Sequence, residues 1–90
     1  MKNRKYSPKT AEEAADLAVS LLRDDIAQGH LEKENIGRRL LGMWVRNNFG
    51  LWGGNEILRS HLIKRYGAVH PDDMSTPILD MIFKKLEEDN

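Results

Sequence analysis

Four times along the chain, apolar residues recur at three- and four-residue spacing, and each series then stops at glycine, proline or a charged run. The first series is Ala14, Leu17, Ala18, Leu21 and Leu22, with Ile26 extending it. The second is Ile36, Leu40, Leu41, Trp44 and Val45, with Asn48 on the same stripe. Ile57, Leu58, Leu62 and Ile63 form the third, and Ile78, Leu79, Met81, Ile82, Phe83 and Leu86 the fourth. This is the period of one helix face, and no stretch of useful length alternates as a strand would. The chain is therefore expected to be all-α, a compact bundle of about four helices.

The punctuation between the series places the helix ends. Thr10 and Glu13 have the spacing of a capping box, and Gly29 suits the left-handed turn that ends a helix. Residues 30–35 are charged and fit either a loop or the first turn of the next helix. The second helix is expected from Ile36, with Gly37 and Gly42 inside it. Each glycine weakens a helix by roughly 1 kcal/mol, although one can also let a second helix come close. Asn55 is an N-cap candidate for a third helix ending at Tyr66-Gly67. His70 to Thr76 reads as a turn, followed by a helix capped by Thr76 with Pro77 in its first turn. Residues 1–9 are expected to be a flexible basic arm, and 10–90 a single helical domain.

Ninety residues without cysteine exclude disulfides, thiol chemistry and thiolate metal sites. No apolar run approaches the ~18–20 residues that span a bilayer, and the basic N-terminus is not followed by an apolar signal core. A cytoplasmic bacterial or phage-type protein is expected. Net charge is zero, but residues 1–9 and 36–69 are basic while 10–35 and 70–90 are acidic. The blocks either neutralise one another across packed helices, or leave the basic middle segment to meet an acidic partner.

The densest stretch runs from Gly42 to Asn55. It carries both tryptophans, the pair Asn47-Asn48 and four of the seven glycines. A helix ends here and the backbone turns, with large aromatics beside polar side chains. Arg39, Met43 and Arg46 fall on a face neighbouring the apolar stripe. Trp52 either covers the core's edge or stays exposed as an interface anchor. The turn is too short to bury Trp44, Phe49 and Trp52 equally. Trp44, with helical neighbours on both sides, is expected in the core and Trp52 at the rim.

The run M-W-V-R-N-N-F-G-L-W-G at 43–53 and the segment H-P-D-D-M-S at 70–75 together resemble a bacterial domain family of unknown function. Its members are short proteins with an R-N-N-aromatic-G-L-W core and an H-P-D-D-M-S segment ahead of the last helix. The resemblance spans roughly residues 36–86. It implies a compact helical fold in which the two motifs act together, and it brings no activity.

Candidate binding residues follow from these motifs. Arg46 and Asn47 either hold the corner or point outward to bind an anion or a peptide backbone. Asn48, on the apolar stripe, needs partners inside the protein. His70, Asp72 and Asp73 invite general-base or divalent-cation readings. Adjacent carboxylates diverge on a helical turn, however, and the spacing of a calcium loop is missing. A bond from Arg46 to Asp72 or Asp73, joining the two motifs as a buried pair, is the preferred reading. Gly53-Gly54-Asn55 could offer N–H groups to a phosphate, but no lysine follows. His30 and His61 stand alone, and no cofactor, zinc or nucleophile motif is present.

The first functional expectation is a small non-enzymatic module that binds another protein through the corner. Immunity protein, antitoxin, phage-type inhibitor and adaptor all fit. The alternative is a helix-turn-helix-like nucleic-acid binder using Arg38, Arg39, Arg46, Arg59, Lys64 and Arg65. Zero net charge and a long glycine-rich turn argue against it. An enzyme built on His70 ranks third.

Overall fold

Helix α1 spans Ala11–Ala27. It starts at Thr10, whose hydroxyl accepts the backbone N–H of Glu13 at 3.1 Å. The Glu13 carboxylate reaches back one residue further than a capping box requires, accepting the N–H of Lys9 at 3.0 Å. At the other end His30 N–H donates to the Asp25 carbonyl and Gly29 N–H to that of Ile26. Gly29 sits at φ 80°, so the helix closes in the left-handed turn that glycine permits. The computed structural model describes residues 6–88. Residues 1–5 of the expected arm lie outside them. Tyr6 and Pro8, assigned to the same arm by sequence, lie against the body. Pro8 is buried, its carbonyl accepts from Asn55 Nδ2 at 2.9 Å, and Tyr6 N–H donates to the Asn48 carbonyl.

The ambiguous segment contains a single 3-10 turn, Lys33–Asn35. Helix α2 follows as Arg38–Asn48, two residues later than expected. Gly37 is its N-cap in extended backbone, so the helix-interior cost expected of that glycine does not arise. Gly42 is inside α2, and a Cβ there would come to 3.0 Å from Arg46 Nη1 and 3.3 Å from Leu79 Cδ1. The glycine thus lets both the folded-back arginine and helix α4 come close. Helix α3, Glu56–Tyr66, is capped by Asn55, which accepts Leu58 N–H at 3.3 Å, and ends at Gly67 with φ 68°.

The largest departure from the sequence reading is helix α4, Pro71–Glu88. His-Pro-Asp-Asp-Met-Ser is its opening rather than a turn before it. Pro71 occupies the first helical position, where its missing N–H has no consequence. Asp72 and Asp73 sit in the first turn, where the helix dipole favours acids. Pro77 lies inside the helix, so the Asp73 carbonyl four residues back has no N–H to accept. One residue earlier the Ser75 and Thr76 hydroxyls both donate to the Asp72 carbonyl, at 2.9 and 3.3 Å. Packing on both sides of the proline holds the helix together, because Met74, Ser75, Ile78, Leu79, Ile82 and Leu86 are buried.

Helix α4 is the hub. It packs against α1, α2 and α3, α1 also meets α3, and α1 and α2 make little contact of their own. On α1 the buried face is Ala11, Ala14, Ala15, Ala18 and Val19; the four alanines let α4 approach. Leu17, Leu21 and Leu22, expected in the core, are only half-buried. On α3 the core face is Leu58 and Leu62, while Ile57 and Ile63 are exposed. Opposite charge blocks meet across the helices, as Arg38 with Asp80 and Arg65 with Glu12, while Lys85 and Asp16 pair between the two acidic blocks. Among the described residues no helix is long and apolar enough to cross a membrane.

Candidate functional site: the glycine corner and the start of α4

The corner begins where α2 runs out. Phe49 and Leu51 are fully buried, which fixes the two ends of the first bend. Gly50, Gly53 and Gly54 all take positive φ, a region that side chains with a Cβ avoid. Asn55 is buried at 4% exposure and ties three segments together. Its Nδ2 donates to the carbonyls of Phe49 and Pro8, both at 2.9 Å, while its Oδ1 caps α3. Asn48 meets the requirement set for it, donating to the Trp44 carbonyl at 2.9 Å.

With Leu51 pinned inward, Trp52 is turned out and is 47% exposed. Trp44 is half-buried and packs edge-on against Phe49 with centroids 5.4 Å apart, and Tyr6 covers both rings. The rim position expected of Trp52 is observed, whereas Trp44 is a lid on the core rather than its centre. The exposed indole is held in place. Its Nε1 donates to Asn47 Oδ1 at 3.1 Å, and its ring meets His70 edge-on at 6.3 Å. Asn47, Met43 and Arg39 follow one another at four-residue spacing on α2, so they form one stripe leading to the indole. Met43 is 48% exposed and Arg39 is exposed.

The two motifs also join through Arg46. Its Nε lies 3.4 Å from Asp72 Oδ1, although its N–H is not aligned for a hydrogen bond. Its Nη1 donates to Ser75 Oγ at 3.0 Å. Asp73 is not part of this contact. It lies beside Tyr66 and Gly67, because neighbouring side chains at a helix start point apart. Nor is the pair buried, since the Asp72 side chain is 64% exposed. A partner lost from it therefore costs far less than the several kcal/mol of a truly buried pair.

His70 has a structural task. Its Nδ1 accepts the N–H of Asp72 at 3.1 Å and its carbonyl accepts that of Met74, so it caps α4. Among the described residues no group of three or more His, Asp or Glu stands close enough together to hold a metal ion. Sequence reasoning did not single out Ser75, which is 1% exposed and links Arg46 to the α4 backbone. The signal for it was Pro71: with Pro71 in the first helical position, Met74, Ser75 and Ile78 fall on one inward face.

No curated protein and no solved structure matches the chain. The model of one family, described as a domain of unknown function (DUF6794), matches residues 7–86. That range includes the corner, the capped start of α4 and nearly all of the helical body, and the chain belongs to this family.

Proposed function

We propose that the protein is a small non-enzymatic module that binds another protein through the corner. The observation that carries the reading is Trp52: a large apolar side chain half in solvent, yet fixed by Asn47 and His70. Ordering an exposed indole before a partner arrives lowers the entropy cost of binding. Tryptophan, with arginine, is enriched at interface hot spots. Around it stand Met43, which adapts its shape to a partner, and Arg39, which faces no carboxylate among the described residues. Arg46, Asp72 and Asp73 edge the same end of the molecule. A cytoplasmic role in a bacterium or phage, as immunity protein, antitoxin, inhibitor or adaptor, suits such a module.

The nucleic-acid reading receives less support, since Arg38, Arg46, Arg59 and Arg65 each face a carboxylate of this chain. The enzyme reading is disfavoured by His70 Nδ1 and Ser75 Oγ, which are already engaged by the α4 backbone.

Affinity purification from the native host, followed by titration of the recovered partner, tests the proposal. Trp52→Ala is expected to weaken binding by roughly 30-fold or more, the loss typical of a hot spot. Unchanged affinity would remove the corner as the interface. Duplex DNA binding at micromolar level in ~150 mM salt, lost in Lys64→Glu, would replace the protein partner with a nucleic acid.

A further inference from the structure

A second surface lies on the other side of Trp44. Because α1 and α2 both lean on α4 and hardly touch each other, a cavity of about 250 Å³ opens between them, closed at one end by the 31–37 connection. Leu21, Leu22, Leu31, Ile36, Leu40 and Trp44 supply its apolar walls, and Asp25 and Asn35 its polar edge. Leu40, on the expected core stripe, is 71% exposed. The volume falls below the roughly 300–1,000 Å³ of most small-molecule sites, so the cavity fits one bulky side chain better than a whole metabolite.

Acid predominates on the side of the mouth formed by the end of α1 and the connection. There Asp25 lines the wall, and Asp24, Glu32 and Glu34 are chain neighbours of it or of Leu31 and Asn35. Lys33 lies among them, and Arg38 and Arg39 stand on the α2 side. Asp24, Asp25, Glu32 and Glu34 are all exposed, and among the described residues no lysine or arginine pairs with any of them. Asp25 faces only His30, at 4.0 Å, and Glu32 accepts from Asn35 Nδ2. Lys33, between two of these acids, is drawn away from them: its Nζ donates to the Leu86 carbonyl at 2.8 Å. Elsewhere Asp16, Asp72 and Asp80 have found basic partners on neighbouring helices. Acid that no described lysine or arginine pairs with therefore borders one side of an apolar hole.

We propose that this cavity receives one large apolar side chain, leucine-like or aromatic, from a partner segment with lysine or arginine on either side of it: a basic amphipathic peptide. The carboxylates steer and select the segment, and the buried side chain holds it. The acids are spread over the end of α1 and the whole connection, a span that a peptide matches and a single small cation does not. This inference does not depend on the corner, and it gives the protein two binding faces of opposite character.

A short fluorescein-labelled amphipathic peptide of lysine and leucine is the probe, titrated by anisotropy against the full chain. Binding is expected to weaken with salt and to disappear when the peptide's leucines become serine. The triple variant Asp25→Asn, Glu32→Gln, Glu34→Gln should lose about tenfold in affinity, as should Leu40→Asn. Neither touches the core, and thermal melts confirm that each is folded. Trp52→Ala should bind the peptide as the wild type does, which separates this site from the corner. Equal binding of the lysine–serine peptide, or of a glutamate–leucine counterpart, would overturn the proposal. So would a concentration-dependent dimer abolished by Leu40→Asn, which would assign the cavity to a second copy of the chain.

Discussion

At the scale of single residues, the two tryptophans have opposite tasks, and their substitutions should differ in kind. Trp44 packs edge-on over Phe49 from outside, and removing a packed tryptophan commonly costs ~3–5 kcal/mol. Half-burial puts Trp44→Ala near the lower end, still a large share of the ~5–15 kcal/mol that holds a domain together. Trp52→Ala loses one exposed hydrogen bond and a ring edge, and should melt within a few degrees of wild type. A Trp52→Ala melt as low as that of Trp44→Ala would make Trp52 a core residue and remove the case for the corner. Arg46 and Asp72 call for a double-mutant cycle. Asp72→Asn should cost under ~1 kcal/mol, because water already reaches the carboxylate. Arg46→Ala should cost about 2 kcal/mol, since it also removes the bond to buried Ser75 and the guanidinium packed over Gly42. A coupling energy between them above ~2 kcal/mol would show that the pair is shielded from water after all.

At the scale of elements, the helix count and most ends were legible because capping chemistry is local: Thr10, Gly29, Asn55 and Gly67 each act within a turn of themselves. The start of α4 was not. Two prolines six residues apart, Pro71 and Pro77, each suit a first helical turn, and the sequence pattern favoured the later one because apolar spacing is dense only beyond it. Met74, Ser75 and Ile78 settle the matter through packing, and packing is a tertiary fact. The helix therefore carries Pro77 against local preference. Pro77→Ala restores a donor to the Asp73 carbonyl and relieves the ring's crowding of that turn. Against this stands the looser unfolded chain, worth ~0.4–1 kcal/mol. A net stabilisation of about 1–2 kcal/mol is expected, read as a higher denaturant midpoint with an unchanged slope. A lower midpoint would mean that the proline ring itself is packed to advantage beside Tyr66. The same limit hid the cavity: Leu21, Leu22 and Leu40 have faultless core spacing, and spacing does not say whether two stripes will meet.

At the scale of the whole molecule, the alternating charge blocks resolve into contacts between helices rather than one uniform field. One contact joins the two acidic blocks themselves, Lys85 on α4 with Asp16 on α1, 2.9 Å apart. The hydrogen bond to Asp16, then the attraction of its charge, holds the Lys85 ammonium above its ordinary pKa. The direction fixes the pH dependence. A lysine whose pKa is raised by folding contributes its full stabilisation below the ordinary lysine range, around 10.4, and loses it as pH rises past that point. Both groups are exposed, so the effect is small and is best read as a difference between two proteins. Wild type and Lys85→Met should keep a constant separation in melting temperature from about pH 6 to about pH 9, and converge above about pH 10. Asp16→Asn should reproduce the Lys85→Met behaviour, and adding ~1 M salt should shrink the separation at neutral pH. Parallel curves through the whole alkaline range would show that the contact between α1 and α4 rests on the buried apolar face of Ala11, Ala14, Ala15, Ala18 and Val19, with the ion pair a bystander.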